Sequence, residues 1–525
     1  MADEQEHPRA GTATEKEAAR TSQGSETAAS RELVKGAVVV QDEEEDGSEA
    51  EVVIAAAEAG GRQRGRGMGG GGRGHAYRDL TTGSIPRNLW HLSWPQVLEG
   101  MLNVADQVVD LIWAGRLPGG FRSLAGIGIG QTFTQFGMMA RQGLDMATRA
   151  MISRAVGAGN IPLANHIALQ AFTLTGVYSL LMVVVGILLT DVFLRLIGAS
   201  EAVKAETAMY MRIQFVGMAT MGFRMASGSA LQSAGDVITP LKATTVTRVA
   251  HIILTPFLMF GWWFFPNMGL GGAALANVVA QLGGSVINFY ALLHGSSRLH
   301  LTFRGYRVDY PLLWRMLKLG TPASVAGTER AVAQLVLFGL VSPFGDVALA
   351  AYALTRRMEM FVNVGSMGFG QAAGVLVGQN LGAGKPERAK QSIGWALVYV
   401  AVMKSFVGGL IFAFPVALVV LFTNEPEVVD LTSVWLRIQV FAAVFMGLGM
   451  IFQQSYNTAG DTMAPLIVTL VGVWGVELPL AWALTHIWDV GPLAIGYAAI
   501  AGMSVRLACY VPYFYWGRWL RVKVI

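Results

Sequence analysis

The first long apolar stretch of this chain contains three carboxylates and an amide: Glu99, Asn103, Asp106 and Asp110. Asp106 and Asp110 are four residues apart, and Asn103 and Asp110 seven, so all three share one face of a helix. Two carboxylates in a low-dielectric setting do not both stay ionised without a partner. Such a pair can hold one proton, or a sodium ion through carboxylate and amide oxygens. The alternative is pairing with basic residues on neighbouring helices, with Arg141 and Arg149 as candidates. Glu329 and Glu359 are the candidate cavity acids of the second half. Glu329 adjoins Arg330, and neighbours in sequence point apart on a helix. Glu359 follows Arg356 and Arg357, so a structural pair is the competing reading there. Chemistry of the enzymatic kind is not expected. Gly384-Lys385 fails as a phosphate loop, because Gln379 stands where a glycine is required and Pro386 where a Ser or Thr is required. The sequence has no HExxH, GxSxG or CxxC motif, and its single Cys509 excludes an intramolecular disulfide.

The elements that carry these residues must cross a bilayer. The chain is 53% hydrophobic and 14% charged, with a mean hydropathy of +0.46. Many of its apolar stretches are long enough to span about 30 Å of hydrocarbon. Twelve spans are expected near 88–114, 122–156, 163–191, 203–234, 238–263, 269–294, 313–341, 346–381, 388–422, 430–458, 463–488 and 492–518. Lys and Arg set the orientation. With the N-terminus cytoplasmic, inner segments hold thirteen basic residues against four outside, which puts both termini in the cytoplasm.

The chain also repeats itself. Ser153-Arg154-Ala155-Val156-Gly157-Ala158-Gly159 returns about 225 residues later as Gly378-Gln379-Asn380-Leu381-Gly382-Ala383-Gly384. The same offset carries Arg212, Gly235, Asp236 and Pro240 onto Arg437, Gly460, Asp461 and Pro465, and Pro95 falls within two residues of Pro322. Six spans per repeat, an even number, relate the halves by an axis along the membrane normal. The expected organisation is a low-complexity tail over 1–82, an N-lobe over 83–294, a basic linker over 295–312, a C-lobe over 313–519 and a C-terminal tail over 520–525. The acidic run at 41–46 and the Arg-Gly-rich run at 62–72 mark the first segment as a solvated tail. No nucleic-acid partner is expected of it. Paired features such as Asp236 and Asp461, each able to cap a following helix, belong to architecture. Function is expected where the halves differ, at Asp106 and Asp110 against Glu329.

From about residue 88 to 515 the chain resembles the MATE (multidrug and toxic compound extrusion) transporters of the MOP flippase superfamily. The likeness rests on Asp110-Leu-Ile-Trp-Ala-Gly115-Arg116, the two Gly-Ala-Gly segments, Gln232-Ser-Ala-Gly235-Asp236 with Pro240, Gly269-Leu-Gly271-Gly272-Ala273-Ala274, and Ala459-Gly460-Asp461. It implies an all-α membrane protein of twelve helices, in two six-helix lobes around a V-shaped central cavity. It implies a monomer in the cell membrane that exports an amphiphilic, often cationic organic compound while protons or sodium ions enter. No other cofactor is implied. Flipping of a lipid-linked oligosaccharide is the alternative within the superfamily. Asp110 matches the family's cation-coupling aspartate, which makes it the candidate ligand for sodium. The family's fifth-span Asn-x-x-x-Asp-Pro is replaced here by His251-Ile-Ile-Leu-Thr255-Pro256. His251 and Thr255 thus join Asn103, Asp106 and Asp110 as candidate coupling residues, and a histidine that titrates near neutral pH tilts the reading toward protons.

Overall fold

The computed structural model describes residues 79–117, 121–196, 201–295 and 297–524. Most of the expected 1–82 tail lies outside them. Twelve long helices follow in order: α1 (Ile85–Ala114), α2 (Phe121–Gly157), α3 (Ile161–Leu196), α4 (Glu201–Ser233), α5 (Ile238–Phe260) and α6 (Gly269–Leu293). The second half gives α7 (Tyr310–Val341), α8 (Asp346–Gly382), α9 (Pro386–Ala413), α10 (Pro426–Ala459), α11 (Met463–His486) and α12 (Ala494–Trp516). No strand occurs among the described residues. The expected ninth span, 388–422, is interrupted: α9 stops at Ala413 and a separate turn of helix, Pro415–Val419, follows. Pro415 has no N–H to continue the hydrogen-bond ladder, which accounts for the break.

By length and composition, nine of these helices can cross a membrane. The three that fall short are α1, α2 and α4. They carry Glu99, Asp106 and Asp110, then Arg141, Asp145 and Arg149, then Arg212 and Arg224. Charge that would be prohibitive against lipid is tolerated where a helix faces protein or a wet cavity. The opposite extreme is α3 and α9, repeat mates whose most apolar windows are each only 22% buried, so they form the periphery of the two lobes.

Helix packing obeys the repeat. In the N-lobe α4 packs on α2 and α6, α3 on α2, and α5 on α1; in the C-lobe α10 packs on α8 and α12, α9 on α8, and α11 on α7. The lobes meet through α1 on α8, α7 on α2, and α2 on α8. Every one of these contacts maps onto itself or a partner when the halves are exchanged.

The doubled Gly-Ala-Gly segments explain themselves here. Gly159 and Gly384 adopt left-handed φ angles of 74° and 69°. The next amides reach back, Asn160 N to the Ala155 carbonyl (2.9 Å) and Lys385 N to the Asn380 carbonyl (2.8 Å). This is the six-to-one bond of a glycine-terminated helix. Gly157 and Gly382 have another task. A Cβ on Gly157 would lie 2.0 Å from the Gln379 carbonyl oxygen, and one on Gly382 2.1 Å from that of Arg154. Here the backbones of α2 and α8 touch. Gly143 and Gly320 make a similar contact between α2 and α7. Gly126, Gly130 and Gly137, further along α2 toward its other end, abut only N-lobe side chains. The lobes are thus sealed at the Gly-Ala-Gly end and part away from it, leaving the cavity between them.

The segments flanking the lobes are docked. Leu80, inside the expected 1–82 segment, is 1% exposed within a C-lobe core cluster. The linker lies along α3, with Gln170 Nε2 donating to the Arg307 carbonyl (2.6 Å) and His166 contacting Asp309 (3.1 Å). Asp309 caps α7 by accepting from Leu312 N. Asp236 and Asp461 accept from Thr239 N and Ala464 N, the capping role expected of them.

Candidate functional site

The acids of α1 face a matching stripe on α5. Residues 99, 103, 106 and 110 recur at helical spacing, and so do 244, 248, 251 and 255. The two stripes meet rung by rung at a constant sequence offset of 145, so the helices run parallel. Thr244 Oγ1 donates to Glu99 Oε1 (2.7 Å), and Arg248 Nε to Asn103 Oδ1 (2.9 Å). Arg248 Nη1 donates to Asp106 Oδ2 (2.6 Å), and His251 Nδ1 bonds Asp106 Oδ1 (2.8 Å). His251 Nε2 lies 3.6 Å from Asp110 Oδ1, too long for a hydrogen bond. That nitrogen is buried and has no hydrogen-bond partner. Thr255, next on the α5 stripe, turns its hydroxyl back onto the His251 carbonyl of its own helix (2.7 Å). Asp106 and His251 are 3% and 1% exposed, whereas Asp110 is half-buried.

The structure therefore brings Asn103, Asp106, Asp110 and His251 together, while the Thr255 hydroxyl is spent within α5. It also corrects the basic partner. Arg141 binds Asp145 (2.7 Å) and the Gly222 carbonyl, and Arg149 binds Ser229 and Gln371; neither meets the α1 pair. The partner is Arg248, legible only as a charge one turn before His251 in an apolar span.

The tautomer of His251 follows from its neighbours. In a neutral imidazole whose Nδ1 donates to the Asp106 carboxylate, Nε2 is the nitrogen left free on the Asp110 side. Nε2 lies 3.6 Å from Asp110 Oδ1, so the two groups can share a proton once that gap closes by a few tenths of an ångström. Metal ions are a poorer match. Ligand atoms of Asp106, Asp110 and His251 lie within 4.8 Å of one another. Both Asp106 oxygens are already engaged, however, the third donor is a nitrogen, and a guanidinium stands 2.6 Å from Asp106. Sodium takes oxygen ligands, and within this trio the two Asp106 oxygens are already hydrogen-bonded.

The C-lobe acids are placed differently. Glu329 Oε1 accepts from Trp474 Nε1 (2.6 Å), again across an offset of 145, and lines an apolar groove with Ser324, Val325 and Leu470. It is Arg330 that faces the cavity between the lobes. Glu359 is bound by Arg356 (2.5 Å) and Gln439 and lies beside a small pocket near Lys404. Neither glutamate lines the cavities of 290, 410 and 240 Å³; Glu329 opens instead on the apolar groove, of 490 Å³. Aligning Pro95 with Pro322 sets Asp106 and Asp110 against Ala333 and Leu337, two members of an apolar C-lobe core. The Asp106–Asp110 pair has no carboxylate at the aligned C-lobe positions.

Three cavities adjoin these helices. One of 290 Å³ in the N-lobe is lined by Asp106, Asp110, Gln131, Tyr210, Arg248 and Asn277. A second, of 410 Å³, lies between the lobes beside Glu99, Arg149, Asn363, Met367 and Gln371; it shares Asn103, Gln107, Arg224 and Met225 with the first. The third, of 240 Å³, shares Met367 and Met450 with the second and is lined by Arg330.

Two repeated six-helix lobes around a central cavity, with a buried Asp106–Arg248–His251 cluster in the N-lobe, define a multi-pass membrane transporter. The MatE family model matches residues 95–257 and 322–483, one match per lobe, and the chain belongs to that family. It is 27% identical over 435 residues to "Probable multidrug resistance protein YoeA" of Bacillus subtilis, covering 80% of this chain and 92% of that protein. It is 25% identical to an "FAD transporter" of Shewanella oneidensis, covering 82% and 95%. The MATE transporter VcmN of Vibrio cholerae, in its bent form, has the same fold, with a TM-score of 0.77 at 24% identity over 84% of this chain and 98% of that one.

Proposed function

We propose that this protein is a secondary active efflux antiporter that exports amphiphilic organic compounds in exchange for protons, with Asp110 and His251 as the coupling groups. The observation that carries the reading is the unfilled contact between His251 Nε2 and Asp110 beside the N-lobe cavity. With Asp106 and Asp110 ionised, Arg248 charged and His251 neutral, the cluster holds one uncompensated negative charge. One proton neutralises it, and a neutral cluster is the cheaper occupant of a low-dielectric interior. Asn103, Gln107 and Arg224 border both the cluster's cavity and the cavity between the lobes. Proton arrival is thereby felt where a substrate would sit. The termini are cytoplasmic, the monomer is the working unit, and substrate leaves while the lobes rock against one another, parting the α2–α8 seam in one half of the cycle. One relative's cargo is FAD and others are multidrug resistance proteins, so the fold serves varied organic molecules.

The test is dye efflux from proteoliposomes of the full chain under an imposed proton or sodium gradient. A proton gradient drives efflux in the wild type, and Asp110→Asn lowers driven efflux at least about tenfold, as loss of a proton-transfer group does. Undiminished proton-driven efflux by that variant removes Asp110 from the mechanism. Efflux driven by sodium alone replaces the proton.

A further inference from the structure

The charges around the three cavities do not balance. Their linings contain three acids, Glu99, Asp106 and Asp110, and four arginines, Arg149, Arg224, Arg248 and Arg330. Arg248 is paired with Asp106 at 2.6 Å, and Arg224 stands 3.9 Å from Glu99. Among the described residues, Arg149 and Arg330 have no carboxylate within ion-pair distance. Arg149 has only neutral partners, Ser229 Oγ at 3.3 Å from Nε and Gln371 Oε1 at 3.0 Å from Nη1. Arg330 is barer still: its Nε is buried without any hydrogen-bond partner. Its chain neighbour Glu329 is turned away to Trp474 in a different groove. Arg356 is matched by Glu359 (2.5 Å), which leaves that acid no free role toward Arg330.

An unpaired guanidinium inside a membrane protein is costly and marks a place where something of opposite charge arrives. Its planar fork of donors fits carboxylate and phosphate oxygens in pairs. Arg330 also occupies the C-lobe position that aligns with Asn103, a cavity-lining residue of the N-lobe. Around the two arginines the walls are amides and methionines: Gln142, Gln334 and Gln454 near Arg330, with Met360, Met367 and Met450 between. Methionine adapts its shape to varied apolar bodies.

We propose that the cavity between the lobes is built for amphiphiles carrying an acid group, a carboxylate, sulfonate or phosphate. Arg330 binds the acid group, Arg149 supplies the opposing positive charge from the N-lobe, and the apolar body lies against the methionines. This rests on the efflux reading and replaces the organic cation that the family resemblance implies with an organic acid.

The experiment is fluorescence anisotropy with the purified full chain in lipid nanodiscs, using carboxyfluorescein as the acid dye and ethidium as the cation. Carboxyfluorescein binds saturably and more tightly than ethidium. Arg330→Gln weakens carboxyfluorescein about tenfold or more, the effect of one charge-assisted contact. Arg330→Lys retains part of that affinity, and ethidium binds Arg330→Gln no more weakly than wild type. Arg149→Gln provides a second, independent variant should Arg330→Gln unfold on a thermal melt. The proposal is overturned if ethidium binds the wild type more tightly, or if both folded arginine variants hold carboxyfluorescein as wild type does. Proteoliposome transport separates the two readings. Proton-driven, Asp110-dependent movement of ethidium keeps the antiporter and sinks the acid-binding cavity. Failure of a proton gradient to move either dye sinks the antiporter.

Discussion

At the scale of single residues, the site is a chain of charges in which each group depends on the next. Asp106 is buried and tolerated because Arg248 lies 2.6 Å away and His251 2.8 Å. Removing one partner leaves the other charged and unmatched, which typically costs about 3–5 kcal/mol, whereas removing both is far cheaper. Asp106→Asn and Arg248→Gln should therefore each lower the thermal unfolding midpoint of the purified protein markedly, and the double variant should recover most of the loss. Additive losses in a thermal-shift series would show that the pair is not coupled. The spacing of Asp106 and Asp110 made their shared face readable from the sequence, as the Thr255-Pro256 segment did for the place of His251. Arg248 was not readable as their partner, because inter-helix register is set by packing between distant segments and leaves no local period. Glu329 and Arg330 show the same boundary. Adjacency dictates that they point apart, but only the packing of α7 on α2 and α11 decides which one meets the cavity.

At the scale of elements, two glycines in one motif have separable tasks. Gly159 needs its left-handed φ of 74° and has open space around its missing Cβ, while Gly157 needs the space itself. Gly159→Ala should cost about 1 kcal/mol through backbone strain and leave the lobes in place. Gly157→Val sets a branched side chain against the Gln379 carbonyl, with 2.0 Å available to its Cβ, and should wedge α2 from α8. Spin labels at Pro162 and Gln391, in a chain with Cys509→Ala, report the result as a pair distance. A longer distance for Gly157→Val but not Gly159→Ala is expected, and equal distances in both would deny the contact its sealing role. The repeat predicted both turns from the sequence, since Gly and Asn or Lys recur at matched positions. The close approach was invisible there, because a glycine chosen for φ and one chosen for space look alike as letters.

At the scale of the molecule, the proposed alternating access requires the sealed end to open, and the segments just before α1 and after α12 bridge it. Before α1, the carbonyls of Thr81, Thr82 and Gly83 accept from Lys385 (2.9 Å) and Arg388 (2.8 and 2.7 Å) of the C-lobe. After α12, Trp519 is buried in a C-lobe core, while Val524 packs on an N-lobe core and over Gly460. Arg154 of the N-lobe donates to the Ala459 carbonyl (2.7 Å) and the Val522 carbonyl (3.1 Å), fastening that strap. The expected 520–525 tail is thus a crossing between lobes as far as residue 524. A hydrogen bond from a charged donor contributes about 1.5–3 kcal/mol, which corresponds to a roughly tenfold or greater change in a two-state population. Deleting 520–525 leaves Trp519 in its core but removes the Val522 and Val524 contacts. The same label pair should then show a longer-distance population growing about tenfold relative to the sealed state, and Arg154→Gln should reproduce much of it. Transport then responds according to which half-cycle limits turnover: it rises if opening of this end is slow, and falls if resealing is. An unchanged distance distribution in both variants would mean that the glycine seam between α2 and α8 alone holds the end closed.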